Sequence, residues 1–232
     1  MNRIVISGTY CTGKTTLSLA LEKATRIPAT HALTMREILP LLYPGKSLRQ
    51  CNYAELITLG MRRFEDRIHS EVILPDGFIS DGCPLQEWLY GSTRLVTGAY
   101  PDEYPWKMKL KKLWNYRSYP DFRKLLKGFE GMVKAYTHTH YDLFFHLPVE
   151  FPFVADGHRP TSERFRMESE KRLLACYAEM GINPIVLSGT MEERLTKALE
   201  TLHIKPEYPI EYYIRHATIA RRDRFDKVNL ET

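Results

Sequence analysis

Cysteine is scarce and scattered in this chain. Cys11, Cys51, Cys83 and Cys176 are the only four among 232 residues, and no two form a C-x-x-C pair. That spacing excludes a disulfide framework and a cysteine-based zinc site. No run of 18 or more apolar residues occurs, so a helical membrane span is excluded as well. The opening residues 1–8 are too few and too polar at their flank for a secretory leader. We therefore expect a cytoplasmic protein with free thiols in a reducing compartment. Charge of one sign is also weak: the net charge is +5, which suits a protein that handles phosphate esters but does not single out nucleic acid. There is no internal repeat, no low-complexity tract and no guanine-reading Asn-Lys-x-Asp motif, and the last absence leans towards ATP over GTP.

What is present is concentrated near the start. Gly8-Thr9-Tyr10-Cys11-Thr12-Gly13-Lys14-Thr15 spells G-x-x-x-x-G-K-[ST]. It follows the β-branched run Ile4-Val5-Ile6 and opens an apolar-periodic segment from Thr15 to about Lys23, so the motif falls between a buried parallel strand and a helix. Each residue type has a task there. Gly8 and Gly13 allow backbone angles that other residues resist, so that neighbouring N–H groups form a nest for a β-phosphate at a helix N-terminus. Lys14 reaches the β and γ oxygens, and Thr15 offers a hydroxyl to Mg²⁺. Thr12 completes the loop, and Thr16 supports the helix start or an α-phosphate. Cys11 reads as a small loop residue.

A second site signal lies at Asp81, behind the strand Phe78-Ile79-Ser80. Ligands of open parallel sheets gather at strand carboxyl ends. An aspartate there can hold Mg²⁺ through water or accept a proton from an attacking hydroxyl. A third is the loop Asp156–Ser162, whose Arg159 is the first choice for a transition-state arginine, with Arg164 on the next helix second. Arg166 and Arg172 read as solvated helix surface. On the long helix expected over residues 52–74, Glu65 and Arg67 are candidates for acceptor sugar hydroxyls or a phosphate, against the alternative of a solvated charged face.

The remaining pattern alternates helices at about 34–42, 84–96, 121–136, 162–180, 191–202 and 210–224 with strands at 142–147 and 185–187. This predicts an α/β fold with a mainly parallel sheet in one domain. Residues 98–120, with Lys107-Met108-Lys109-Leu110-Lys111-Lys112 among aromatics, form an expected insert. It either packs a small core of its own or stacks bases of a single strand. A helical tail is expected from about 204.

In order along the chain, Gly8–Thr16, Ile79-Ser80-Asp81-Gly82-Cys83-Pro84-Leu85, Phe153-Val154-Ala155-Asp156-Gly157-His158-Arg159 and Ile185-Val186-Leu187-Ser188-Gly189 with Glu193-Arg194 resemble a group of small P-loop kinases. These are the AAA-type ATPase-like kinases that include the ribosylnicotinamide kinase domain of the bifunctional NAD-biosynthesis regulator. Thymidylate and deoxynucleoside kinases are similar at a greater distance. The resemblance spans about residues 1–203. It implies a doubly wound α/β sheet with an arginine-bearing lid, and roles for Lys14 and Thr15 on phosphate and Mg²⁺, for Asp81 at the strand end, for Asp156 and Arg159 in the lid, and for Ser188-Gly189-Thr190 near the base of ATP. The chain departs from the family's Asp-Arg-Ser with Asp81-Gly82-Cys83, which removes a positive group from the acceptor site.

The expected activity is ATP-dependent phosphoryl transfer to a nucleoside-like, nucleotide-like or related small molecule. Two alternatives stand beside it: a kinase acting on a hydroxyl within a nucleic acid, and a nucleotide-dependent regulatory ATPase.

Overall fold

The computed structural model describes residues 2–97, 104, 106, 110, 118–152 and 163–230. Five strands, β1 (Asn2–Gly8), β2 (Ala29–Thr30), β3 (Gly77–Asp81), β4 (Leu143–Leu147) and β5 (Ile185–Val186), form one sheet in the order β2-β3-β1-β4-β5. Every neighbouring pair is parallel. The helices described are α1 (Lys14–Thr25), α2 (Met35–Leu42), α3 (Tyr53–Val72), α4 (Pro84–Thr97), α5 (Ser118–His140), α6 (Glu163–Glu179), α7 (Met191–Thr201) and α8 (Ile210–Leu230).

The alternation of side chains along β1 distributes the core. Ile4 and Ile6 face Leu17 and Leu21 of α1, Leu195 and Leu199 of α7, and Tyr213 and Ala217 of α8. Val5 faces the other way, towards Phe64 of α3, Leu85 and Leu89 of α4, Phe129 and Val133 of α5, and Leu173 and Tyr177 of α6. Helices thus cover both faces, and the doubly wound α/β architecture is the one expected. With β1 central, the chain turns to β2 and β3 on one side and to β4 and β5 on the other. The loop after β1 therefore opens at the carboxyl edge where the winding reverses, the place where such sheets bind ligands.

Several boundaries differ from the sequence reading. β2 had no signal: Ala29-Thr30 is two residues after Ile27-Pro28, and only pairing with Ile79 and Ser80 makes it a strand. The helix expected from about 121 begins at Ser118, so the last three residues of the expected insert are its first turn. Of the rest of that insert, Tyr104, Trp106 and Leu110 are described and exposed, and the lysine run otherwise lies outside the described residues. The segment expected as a tail packs α8 onto α1 and buries Tyr213 and Ala217 in the core. Asn52 caps α3, with Glu55 closing a capping box. Among the described residues no helix is long and apolar enough to cross a membrane.

Candidate active site

The phosphate loop leaves β1 at Gly8 and enters α1 at Gly13, and both glycines sit at positive φ, 140° and 95°. A Cβ at Gly8 would lie 2.6 Å from the carbonyl of Leu147 and 2.7 Å from Thr12 Oγ1; one at Gly13 would lie 2.7 Å from Met191 Cε. Conformation demands glycine at both positions, and at Gly8 the backbone carbonyl of Leu147 leaves no space for a side chain either. Cys11 shares the left-handed region with φ 58° and is exposed. Inside the loop, Thr12 donates to the Thr9 carbonyl at 3.1 Å, and the Lys14 ammonium also donates to Thr9 O. Thr16 is buried behind the helix start.

The loop is braced from two sides. Gln86 of α4 donates from Nε2 to Gly8 O and accepts the Cys83 N–H at 2.8 Å, tying the turn after β3 to the loop. Arg194 of α7, 2% exposed, donates from Nη1 to Thr12 O and from Nη2 to Glu150, both at 2.7 Å. Glu150 in turn accepts the Gly189 N–H at 2.9 Å. Burial alone would raise the Glu150 carboxyl, but the Arg194 guanidinium and the Gly189 N–H hold it below the usual range. Gly189, expected near the base of ATP, is thereby linked to the phosphate loop through one carboxylate and one guanidinium.

Sheet register brings the second motif to the first. Ile6 of β1 pairs with Asp81 of β3, and Thr15 Oγ1 donates to Asp81 Oδ2 at 2.7 Å. His31, just past β2, places Nδ1 3.2 Å from the same oxygen. Burial pushes the Asp81 carboxyl up, but His31, Lys14 and Thr15 outweigh it and hold it far below the ordinary carboxylate range. Asp81 is therefore ionised in the folded protein.

The arginine and acceptor residues are placed differently from expectation. Arg159 and its loop lie outside the described residues. Arg164 is exposed at the start of α6. Arg166, read as solvated surface, is 1% exposed. Its Nη1 donates to Phe151 O at 2.8 Å and lies 3.5 Å from Glu163 Oε2, while Nε and Nη2 find no hydrogen-bond partner among the described residues. Arg172 is half-buried against Glu168. Glu65 points outward, with its side chain 55% exposed beside Arg62. Arg67 is fully buried, donating to Ser80 Oγ at 2.8 Å, Glu87 Oε1 at 2.9 Å and the carbonyls of Asp81 and Gly82. Neither Glu65 nor Arg67 is among the residues that line the cavity beside the phosphate loop. Both oxygens of Glu87 are held by Arg63 and Arg67, and that buried pairing draws the arginine side of α3 inward.

That cavity lies nearer the start of α3, where Tyr53, Leu56, Ile57 and Gly60 meet Tyr90, Gly91 and Arg94 of α4, Phe122 of α5, and Tyr10 of the phosphate loop. Tyr10 stacks on Tyr90 at 4.2 Å between ring centroids and meets Phe165 of α6 at 6.0 Å. Tyr53 stacks on Phe122 at 4.5 Å. A phosphate loop and an aromatic pocket thus share a wall.

A parallel sheet with this loop on its central strand, and a Thr–Asp pair at its carboxyl edge, defines a P-loop NTPase-like nucleotide-binding domain. A family model for an AAA domain matches residues 3–194, and the chain belongs to that family. Among solved structures, the NadR protein in complex with NR superposes with a TM-score of 0.53 at 18% identity. The match covers 89% of this chain and 53% of that one, so the chain spans about half the length of the solved protein. At that identity the likeness establishes the fold. No curated protein matches the sequence.

Proposed function

We propose that the protein is an ATP-dependent kinase that moves the γ-phosphoryl group to a hydroxyl of a nucleoside, a nucleotide or a related ring-bearing small molecule. The observation that carries this reading is Tyr10. It belongs to the phosphate loop and also lines the aromatic pocket, so a ring held against Tyr10 and Tyr53 lies beside the loop that cradles the phosphates. A hydrolytic switch has no need of a second pocket on that wall.

The residues fit Mg²⁺. Thr15 and Asp81 supply hard oxygens 2.7 Å apart. Among the described residues no group of three or more His, Cys, Asp or Glu forms a protein cage, which suits an ion that arrives with the nucleotide and keeps several waters. When bound, the ion would neutralise charge growing on the β- and γ-phosphates.

The chain's own groups do the rest. Lys14 leaves the Thr9 carbonyl for the phosphate oxygens. The acceptor oxygen bonds to the γ-phosphorus as the bond to the β–γ bridging oxygen breaks and ADP departs, and the hydroxyl proton passes to an oxygen of the transferred phosphoryl group and on to water. Asp81 can serve as metal-facing carboxylate or as base, and the first role is favoured: a carboxylate held so far below its ordinary range is a weak proton acceptor. Arg166, with two buried unpartnered donors, is better prepared than exposed Arg164 to meet the transferring group, and Arg159 remains the expected lid arginine.

The test is ATP consumption with Mg²⁺ against a panel of nucleosides, nucleotides, vitamin precursors and short oligonucleotides, with Lys14→Ala as control. Acceleration by one small molecule, lost in Lys14→Ala, supports the reading and identifies the acceptor. Acceleration by oligonucleotides alone would replace it with phosphorylation of a nucleic-acid hydroxyl. Slow turnover indifferent to every compound would replace it with a regulatory ATPase.

A further inference from the structure

Asp81 presents one oxygen to two donors, and His31 is one of them. The placement follows from register: Thr30 pairs with Ser80 in the β2–β3 ladder, so the next residue of each strand, His31 and Asp81, stand side by side at the carboxyl edge. Their side chains are 12% and 14% exposed. Oδ2 is an acceptor oxygen, already taking the Thr15 hydroxyl at 2.7 Å, so the tautomer that satisfies the 3.2 Å contact is the one in which His31 Nδ1–H donates to it. Thr15 donates to the same Oδ2, which leaves Oδ1 clear of both bonds. His31 is fixed from behind as well, since its carbonyl accepts from Arg224 Nη2 of α8 at 3.3 Å. Its Nε2 is buried without a hydrogen-bond partner among the described residues, so the ring's orientation is set by the one side-chain bond it makes, to Asp81.

We propose that His31 is a positioning residue for Asp81: its Nδ1–H pins Oδ2 beside Thr15 and so orients Oδ1 towards the ion that accompanies the nucleotide. This rests on the reading of Asp81 as the metal-facing carboxylate. Groups that orient a metal-facing ligand through a hydrogen bond alter affinity for the ion more than affinity for the rest of the ligand. His31 itself is not a ligand, because Mg²⁺ takes oxygen donors.

The substitutions separate the two ring nitrogens. Asparagine carries an N–H near the position of Nδ1, and glutamine carries one near Nε2. The experiment is calorimetric binding of ADP to the full chain, with EDTA and with excess Mg²⁺, in wild type, His31→Ala, His31→Asn and His31→Gln, each checked for an unchanged thermal melt. Wild type should bind ADP more tightly with Mg²⁺. His31→Ala and His31→Gln should lose about tenfold of that enhancement, close to 1.4 kcal/mol, at unchanged metal-free affinity. His31→Asn should keep most of it. A His31→Ala protein that folds and retains the full Mg²⁺ enhancement overturns the proposal while the metal reading of Asp81 stands, and so does His31→Asn behaving as poorly as His31→Gln. A wild type with no Mg²⁺ enhancement overturns the metal reading, and the proposal with it.

Discussion

Replacing Arg194 by alanine tests how the phosphate loop is held. The side chain is 2% exposed, spans Thr12 O and Glu150, and lies over the Phe151 ring at 5.4 Å. Removing one partner of a fully buried ion pair costs about 3–5 kcal/mol. Glu150 keeps 31% side-chain exposure and the Gly189 N–H, so water recovers part of its loss, and we expect about 2–4 kcal/mol in urea unfolding. The loop should suffer separately. Thr12 O loses its donor, and the loop bearing it is the phosphate nest, so ADP affinity should fall by about tenfold. Lysine at 194 should recover little, because a single ammonium cannot fork between a carbonyl and a carboxylate. The pH dependence has a definite sign. Glu150 is depressed in the folded state, so its contribution is present above the ordinary glutamate value of about 4.3 and is lost as pH falls through the lower folded value. Wild type and Arg194→Ala should therefore converge in acid. A double-mutant cycle with Glu150→Ala checks the coupling. Additive losses, or an Arg194→Ala cost under about 1 kcal/mol, would refute the argument that this pair braces the loop.

Three other outcomes follow from the same geometry. Arg166→Ala should lower kcat by more than about tenfold while Arg164→Ala changes it less than about twofold, and steady-state kinetics giving the reverse order would return the role to the exposed arginine. Gly13→Ala should abolish nucleotide binding in a calorimetric titration, since the new methyl meets Met191 Cε at 2.7 Å on a backbone already at φ 95°; wild-type affinity there would mean the loop can adopt another path. Tyr90→Ala should raise KM for the acceptor by about tenfold or more with KM for ATP nearly unchanged, because it removes the Tyr10 stacking partner without touching the nest; equal effects on both would show that the stack supports the loop alone.

The legible part of this protein is the part whose chemistry dictates residue type locally. A phosphate nest needs glycine at two backbone positions, a lysine and a hydroxyl in fixed spacing, and Gly8 to Thr15 states all of it within one turn of chain. Asp81 was legible because a strand end is visible from its own neighbours. His31 was not: its importance comes from standing beside Asp81 across a two-residue strand that has no apolar run of its own, and no spacing in the sequence links residues 31 and 81. Arg67 and Arg166 show the converse. Arginines on polar-looking helices read as surface or as ligand-binding residues, yet Arg67 is matched by Glu87 and by the strand-end carbonyls, partners that only the fold brings within reach.

The same distinction explains why the acceptor is harder to read than the nucleotide. The nucleotide's phosphates are recognised mainly by backbone, so their site has a sequence grammar. The pocket we propose for the acceptor is assembled from one side chain of the phosphate loop, the first turns of α3, the second and third turns of α4 and the first turns of α5, none of which carries a shared signature. What selects the acceptor is then the shape between the Tyr10–Tyr90 and Tyr53–Phe122 stacks, with Arg94 among its lining residues. Glu87 lines the same pocket, its two oxygens held by Arg63 and Arg67, and the aromatic faces beside it discriminate more by planarity and size than by hydrogen-bond pattern. A change of pocket residue should accordingly shift which ring is accepted while leaving the phosphate chemistry intact.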